Sequence, residues 1–322
     1  MKKVLVVGGA GYIGGITTDI LLDRGYEVGV YDKLLYESRY LKDVNFFYGD
    51  IRDTSRLNQI QKKYDEIIWL AALVGDGACA QDPELTKEIN VTSIENFIKK
   101  TKRRLIFTST CSVYGAQDGL LDENSATNPL SVYAATKLEA EKIVLANNGL
   151  AFRLGTLFGL GDRYSRIRLD LVVNILTLRA YRDRKLTVFG GEQWRPLLAV
   201  SDVAEYLVEA VEKDHNDVYN VKFNNYCLND IAKEIQSNFN DVQLEVTDMK
   251  FEDLRNYQVS SSKVEKVFQF RPSKTISEEV QKMLTLFKEH RIKNPDDSIY
   301  YNAMHVQGLV KNTDEEVYNG RT

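Results

Sequence analysis

The sequence predicts an α/β fold in which a doubly wound parallel sheet is joined to a smaller, discontinuous α/β unit. Three observations carry this expectation. A continuous apolar run, Lys3-Val4-Leu5-Val6-Val7, leads into Gly8, Gly11 and Gly14, and Leu21 and Leu22 continue a helical pattern behind them. Apolar runs and helical patterns then alternate through the first half of the chain, as in a parallel sheet with right-handed crossovers and helices on both faces. After Gly155 the rhythm changes, and strand and helix patterns follow in a less regular order.

The opening segment reads as a buried strand, a tight turn and a helix start. Glycines suit the turn because a Cβ would keep the backbone from approaching a pyrophosphate. The helix N-terminus offers that anion unpaired N–H groups and a partial positive charge. Glu27–Tyr31 is the next strand, with Asp32 at its end, 21 positions past Gly11. An acid about 20 residues on is the expected partner of the adenosine ribose hydroxyls. Its carboxylate would repel a 2′-phosphate, so the segment reads as binding NAD rather than NADP, although Lys33 follows directly.

Further strands are expected at Val44–Tyr48, Glu66–Leu70, Arg104–Phe107 and Leu150–Leu154, with helices at Thr54–Lys63, Pro83–Lys100 and Ser131–Asn147. Ligands of such a sheet lie beyond the carboxyl ends of its strands. In the second half, Leu169–Tyr181, Asp202–Glu212, Asn229–Ser237 and Ser277–Glu289 read as helices, and Leu186–Phe189 and Val218–Val221 as strands. Residues 1–155, with 198–222 returning to them, are therefore expected to form a Rossmann cofactor domain. Residues 156–197 and 223–290 would form a substrate domain. The polar segment 291–322 is expected to be an extended tail that wraps the body or stays mobile.

The 322 residues are 43% hydrophobic, enough for a sizeable core, and the formal net charge of −4 argues against attraction to nucleic acid or to an anionic membrane. Cys79, Cys111 and Cys227 are an odd set without paired spacing, which fits a reducing compartment better than a disulfide scaffold or a zinc site. His215, His290 and His305 are scattered in polar segments and suggest no metal centre. There is no signal-peptide layout and no apolar run near the ~20 residues that span a bilayer, so a cytoplasmic protein is expected.

Chemistry is concentrated in two segments. Leu105-Ile106-Phe107-Thr108-Ser109-Thr110-Cys111-Ser112-Val113-Tyr114-Gly115 is an apolar strand running into hydroxyls, and Tyr133-Ala134-Ala135-Thr136-Lys137 sets a phenol and an ammonium one helical turn apart. A tyrosine with a pKa of about 10 is nearly all protonated at neutral pH; lowering it to about 7 takes roughly 4 kcal/mol of preferential phenolate stabilisation. A lysine one turn away and the positive nicotinamide ring could supply that in a dry cleft, with Thr110 holding a substrate hydroxyl in line. The alternative is a Tyr/Lys pair on a helix surface.

Taken together, these segments resemble the extended short-chain dehydrogenase/reductases, in the NAD-dependent nucleotide-sugar epimerase/dehydratase family. The resemblance rests on Gly8–Gly14, Gly49-Asp50-Ile51-Arg52-Asp53, Leu70-Ala71-Ala72, Thr108–Gly115, Tyr133–Lys137, Arg195-Pro196 and Val200-Ser201-Asp202-Val203-Ala204. It covers about residues 1–290. It implies that Gly8, Gly11, Tyr12, Ile13 and Gly14 cradle the pyrophosphate, that Asp32 holds the ribose, and that Asp50 and Ile51 flank adenine. Leu70, Ala71 and Ala72 would line the cofactor, Tyr133 would accept the proton, and Lys137 would also hold the nicotinamide ribose. Substrate contacts are implied for Thr110, Thr156, Arg168, Val173, Asn174, Arg195 and Arg255, the last two gripping a diphosphate, to which a guanidinium fork is suited.

Departures from the pattern narrow the reading. Family dehydratases carry Asp-Glu after the threonine; here Cys111 and Ser112 stand there, so dehydration is disfavoured. Thr156 replaces a frequent asparagine, and Ala199 a usual histidine. The run from Arg166 to Asn174, with Ala71–Gly75, resembles a subgroup that includes GDP-heptose 4-dehydrogenases; Arg166 and Arg168 could meet a diphosphate or base there, or be solvated. The expected activity is oxidation and reduction at C4 of a nucleotide-diphosphate sugar, as in UDP-glucose 4-epimerases. A 4-dehydrogenase or 4-ketoreductase is the alternative, and a non-catalytic NAD-binding sensor a third. A homodimer through helices about 84–100 and 131–147 is implied by the resemblance.

Overall fold

The computed structural model describes residues 2–163, 165–247 and 255–309. Its centre is a seven-stranded parallel sheet in the order β3-β2-β1-β4-β5-β7-β11. The strands and helices up to its far edge are β1 (Lys3–Val7), α1 (Tyr12–Asp23), β2 (Glu27–Asp32), β3 (Asn45–Tyr48), α2 (Thr54–Ile60), β4 (Glu66–Trp69), α3 (Asp76–Cys79), α4 (Pro83–Lys87), α5 (Ser93–Thr101), β5 (Ile106–Thr110), β6 (Ala116–Leu121), α6 (Val132–Leu145), β7 (Leu150–Leu154), β8 (Thr156–Phe158), α7 (Val172–Asp183), β9 (Lys185–Phe189), β10 (Trp194–Ala199), α8 (Val200–Ala210) and β11 (Val218–Val221). After them come β12 (Asn224–Cys227), α9 (Leu228–Gln236), β13 (Gln243–Thr247), β14 (Asn256–Val259), α10 (Ser262–Val267) and α11 (Ile276–Lys288).

The central strands are buried on both faces, and their alternation assigns side chains to two cores. Val4, Val6, Val28, Val30 and Phe152 face a core closed by α1 and α8. Leu5, Val7, Tyr31, Trp69 and Phe107 face the opposite core, closed by α2, α5 and α6. This is the doubly wound arrangement, in which period-2 side chains feed helices on both sides of a sheet. The chain leaves β3 at one edge and returns as β4 on the other side of β1. A crevice opens at the strand ends where the order reverses.

A separate core gathers α7, α9 and α11 around β9 and β10, with Phe158, Leu169, Leu178, Leu197, Ile231 and Met283 among its buried residues. Small sheets frame it: β12-β10-β8, β13-β9 and β14-β6. The polypeptide passes back and forth between the two regions, since β10 belongs to the second and α8 and β11 to the first. The tail does not stay extended: a 3-10 turn at Ser298–Tyr300 leads into a helix over residues 302–309. The rest of the tail expectation, 310–322, lies outside the described residues.

One buried ion pair fastens the helix that carries Tyr133. The Arg153 guanidinium in β7 donates through Nε and Nη2 to the Glu141 carboxylate of α6, at 3.1 and 2.7 Å, and through Nη1 to the Tyr114 hydroxyl at 2.8 Å. Tyr114 donates onward to Asn220 Oδ1 in β11 at 2.8 Å. Burial and the missing aqueous screening make removal of one partner far worse than removal of both. We therefore expect Arg153→Met to lower unfolding stability by about 3–5 kcal/mol in urea melts, and the double variant Arg153→Met/Glu141→Leu to regain much of it.

Candidate active site

Gly8 has φ +88°, and a Cβ on it would lie 2.5 Å from the Ala71 backbone nitrogen. A Cβ on Gly14 would lie 2.3 Å from the Gly8 carbonyl, so this glycine lets α1 sit against the turn and does not line the cavity. Gly11 is different. The nearest atom to its absent Cβ is 3.4 Å away, it caps α1 with no side-chain bond, and it lines the cavity beside Tyr12 and Ile13. The turn thus presents a bare backbone and a helix N-terminus, the surface a pyrophosphate needs. Tyr12 also donates its hydroxyl to the Gly159 carbonyl at 2.6 Å, tying the turn to the second region.

At the tip of β2, Asp32 accepts from the Ala10 and Leu34 amides at 3.0 and 2.7 Å. Burial raises its pKa and these N–H donors oppose the rise. Asp50 lies farther along the wall, gripped by Arg52 through Nε (3.0 Å) and Nη2 (2.8 Å) and by Lys33 Nζ (3.0 Å). Burial alone would raise the Asp50 pKa, but the Arg52 and Lys33 contacts outweigh it and hold the carboxyl well below its usual range. Lys33 is therefore committed to Asp50, and Arg52 to Asp50 and, at 3.4 Å, to Glu88. With Ile51, Leu70, Ala71 and Ala72 also on the wall, the residues present fit a dinucleotide without a 2′-phosphate.

The same cavity, about 1480 Å³, continues to Thr110, Tyr133 and Lys137. Thr110 closes β5, accepts from the Ser112 amide at 3.1 Å and interacts with the Tyr133 phenol. Asn90, in a π-helical turn between α4 and α5, holds the Leu73 amide and carbonyl (2.8 and 3.0 Å) and reaches the Thr136 hydroxyl, so the loop after β4 is braced against α6. Lys137 is 3% exposed, with Nζ 4.1 Å from the Phe107 ring centroid and no carboxylate partner among the described residues. Burial pulls its ammonium down to about 7, against the pull of Cys79 and Glu141. The protein alone does not lower the Tyr133 pKa: burial, and then Cys79, drive the phenol above its ordinary value, with Asp76 adding to the rise and Arg168 and Thr110 opposing it.

Beyond Tyr133 the wall carries Thr156, Arg168, Arg195 and Arg255. Arg195 donates to the carbonyls of Trp194 (2.8 Å) and Arg255, so β10 and β14 place the two arginines together. Arg255 also reaches Asp76 at 3.2 Å and the Ser112 hydroxyl at 3.3 Å. Arg168 forms a two-bond pair with Asp170 at 3.0 and 3.1 Å. Val173 and Asn174, expected at the substrate, do not line the cavity. Asn174 is wholly buried and spends its amide on Gly159 N, Gly159 O and Arg168 O, shaping the loop that carries Arg168. Arg166 is not solvated: it lies 3.8 Å over the Tyr36 ring and donates to Ile299 O and Asn302 Oδ1 of the tail.

Sequence reading missed Asp76, Tyr257 and the tail residues Asn302, Ala303, Val306 and Leu309, all on the wall. The only available signal for Asp76 was the glycine before it, which takes φ +99°. Cys111 is fully buried with its thiol 3.2 Å from the Arg153 carbonyl, and burial pushes its pKa up. Among the described residues no group of side chains could hold a metal, and no helix is long and apolar enough to cross a membrane.

Comparison with known proteins agrees with this geometry. Residues 4–221 match the model of the NAD dependent epimerase/dehydratase family. The chain is 36% identical over 148 residues to a UDP-glucose 4-epimerase of Halalkalibacterium halodurans, spanning 44% of each protein. It is 28% identical over 250 residues to a UDP-glucose 4-epimerase of Lactobacillus helveticus, covering 68% of this chain and 76% of that one. It is also 28% identical over 320 residues to UDP-glucuronic acid decarboxylase 1 of Arabidopsis thaliana, covering 92% and 72%. Among solved structures, a UDP-glucose 4-epimerase of Thermotoga maritima with UDP-glucose aligns with a TM-score of 0.79 at 23% identity over 90% of this chain and 99% of that one. A dTDP-glucose 4,6-dehydratase of Bacillus anthracis in complex with NAD aligns at 0.75 and 21%, covering 94% and 100%. The latter two likenesses are of fold. The family match takes in more than half of the chain, including the glycine turn, Asp32 and the Tyr133–Lys137 helix, and the chain belongs to the NAD-dependent epimerase/dehydratase family.

Proposed function

We propose that the protein oxidises and re-reduces C4 of a nucleotide-diphosphate sugar, as a nucleotide-sugar 4-epimerase. The supporting observation is the order of groups along one cavity: bare glycine turn and Asp32 at one end, Thr110, Tyr133 and Lys137 in the middle, Arg195 and Arg255 beyond. That order brings a dinucleotide and a diphosphate-bearing alcohol together at a phenol. The unit of residues 1–155 with 198–222 would hold the cofactor, and that of 156–197 with 223–290 the substrate. A cytoplasmic homodimer built on helices 84–100 and 131–147 belongs to the same reading; sedimentation as a monomer at micromolar concentration would remove the dimer from it.

When bound, NAD supplies the hydride acceptor and the positive charge that the Tyr133 phenol lacks in the protein alone. Tyr133 then takes the C4 hydroxyl proton, Thr110 holds that hydroxyl in line, and the Lys137 ammonium stabilises the phenolate. The paired arginines fix the diphosphate while the sugar presents either face. Dehydration lacks its acid–base pair, because Cys111 is sealed against Arg153 and Ser112 is tied to Arg255. A 4-dehydrogenase or 4-ketoreductase uses the same residues and differs in exchanging its cofactor.

Three outcomes are expected. NAD-loaded protein offered UDP-, GDP-, dTDP- and CDP-sugars should convert at least one to its 4-epimer, read by chromatography; no epimer or keto sugar from any of them would refute the reading. Tyr133→Phe should retain NAD affinity yet lose about 10²–10⁴ in turnover, and undiminished turnover would remove Tyr133 from its role. Lys137→Met tests the buried ammonium without substrate. A lysine whose folded pKa is about 7 against an ordinary 10.5 burdens the fold fully below pH 7, and the burden lifts as pH rises from about 7 towards 10.5. The variant should therefore melt higher than the parent near pH 6 in NAD-free protein, by on the order of 2–5 kcal/mol, with the gap closing towards pH 10.

A further inference from the structure

The C-terminal segment makes contacts with both halves of the molecule. Tyr300 and Tyr301 pack against the core of the second region, and the Tyr300 carbonyl accepts from the Leu169 amide at 2.9 Å. Arg166 donates to Ile299 O at 2.8 Å and to Asn302 Oδ1, and Asp170 accepts from the Asn302 amide at 3.0 Å. From there the chain crosses to the loops that follow β2 and β4. Asn302 Nδ2 donates to the Val74 carbonyl at 2.9 Å, and a His305 ring nitrogen lies 2.9 Å from the Leu35 carbonyl. Val306 is buried with Leu73, Ala78 and Cys79, in a cluster that Tyr133 and Ala303 join.

This crossing runs over the cavity, and Asn302, Ala303, Val306 and Leu309 form part of its wall beside Leu35, Asp76 and Tyr133.

We propose that residues 298–309 are a strap that completes the active site and retains the bound cofactor, with Asn302 as its latch and Val306 as its anchor beside Tyr133. This deepens the epimerase reading and rests on it. In a 4-epimerase the hydride that leaves C4 returns to C4, the proton taken by Tyr133 is given back, and no net oxidant is consumed. A wall that slows cofactor exchange serves that closed cycle. A 4-dehydrogenase must exchange its cofactor at every turnover and would be impeded by it.

The test uses the full chain loaded with isotopically labelled NAD and chased with unlabelled NAD, with no sugar present, so its outcome does not depend on whether the chain acts at C4. The variants are Val306→Asp, which places a carboxylate in the apolar cluster, Asn302→Ala, which removes the latch bonds, and Met304→Ser, an exposed position on the same helix, as control. Docking of the strap is read independently by maleimide labelling of Cys79, which is fully buried in the Val306 cluster. Val306→Asp should raise both Cys79 labelling and the NAD release rate by about tenfold or more. Asn302→Ala should raise NAD release by about threefold or more and keeps the test open if Val306→Asp does not fold, and Met304→Ser should change neither. Increased Cys79 labelling with unchanged NAD release would overturn the proposal, as would unchanged labelling in both strap variants.

Discussion

A lysine ammonium is held in the interior against an aromatic ring with no carboxylate paired to it among the described residues, and much of the architecture sustains that placement. Desolvation disfavours the charged form, so Lys137 is poised near neutrality where an ordinary surface lysine would be fully charged. Keeping it there requires α6 to lie rigidly across the end of β5. The buried Arg153–Glu141 pair, the Tyr114–Asn220 bridge and the Asn90 brace together supply that rigidity. The phenol one turn away inherits the same dry surroundings, which push its pKa up. In the proposed reading, cofactor charge would oppose protein burial at Tyr133, and the site would become basic only in the loaded protein.

Much of this was legible in the amino-acid order. Strands buried on both faces appear as unbroken apolar runs, and β1, β2, β4 and β7 lie within a residue or so of where those runs place them. The helix carrying Tyr133 and Lys137 was equally plain, with Ser131 capping it through the Ala134 amide. The small sheets were not. β6 is an exposed run, Ala-Gln-Asp-Gly-Leu-Leu, that becomes a strand only by pairing with β14, more than a hundred residues away. β8 and β12 are too short to show a period.

Site residues divide along the same line. Those fixed by backbone constraint, Gly8, Gly11 and Asp32, announce themselves through spacing. Those fixed by long-range partners do not. Asn174 looked like a substrate contact, yet its amide is spent on the Gly159 amide and carbonyl, the Arg168 carbonyl and the Tyr12 side chain. Arg166 was open between a diphosphate or base contact and solvent, and besides the Tyr36 ring its side chain meets Ile299 and Asn302, more than 130 positions ahead in a polar stretch with no apolar period. A polar, tyrosine-containing tail gives no local sign that its Val306 will be buried beside Tyr133. Only the three loops it meets, brought together by the sheet, create that surface.

The Lys33–Asp50–Arg52 cluster has a bearing on how the protein could be redirected. Lys33 bonds to Asp50, whereas Arg52 bonds both to Asp50 and, at 3.4 Å, to Glu88. Exchanging Asp50 for a neutral residue would release Lys33 and leave Arg52 with Glu88 alone, and trimming Asp32 to serine would clear the opposing charge. In the proposed reading, discrimination between the two nicotinamide dinucleotides rests on Asp32 together with the pairing of these cations, at a rim separate from the helix that carries Tyr133 and Lys137.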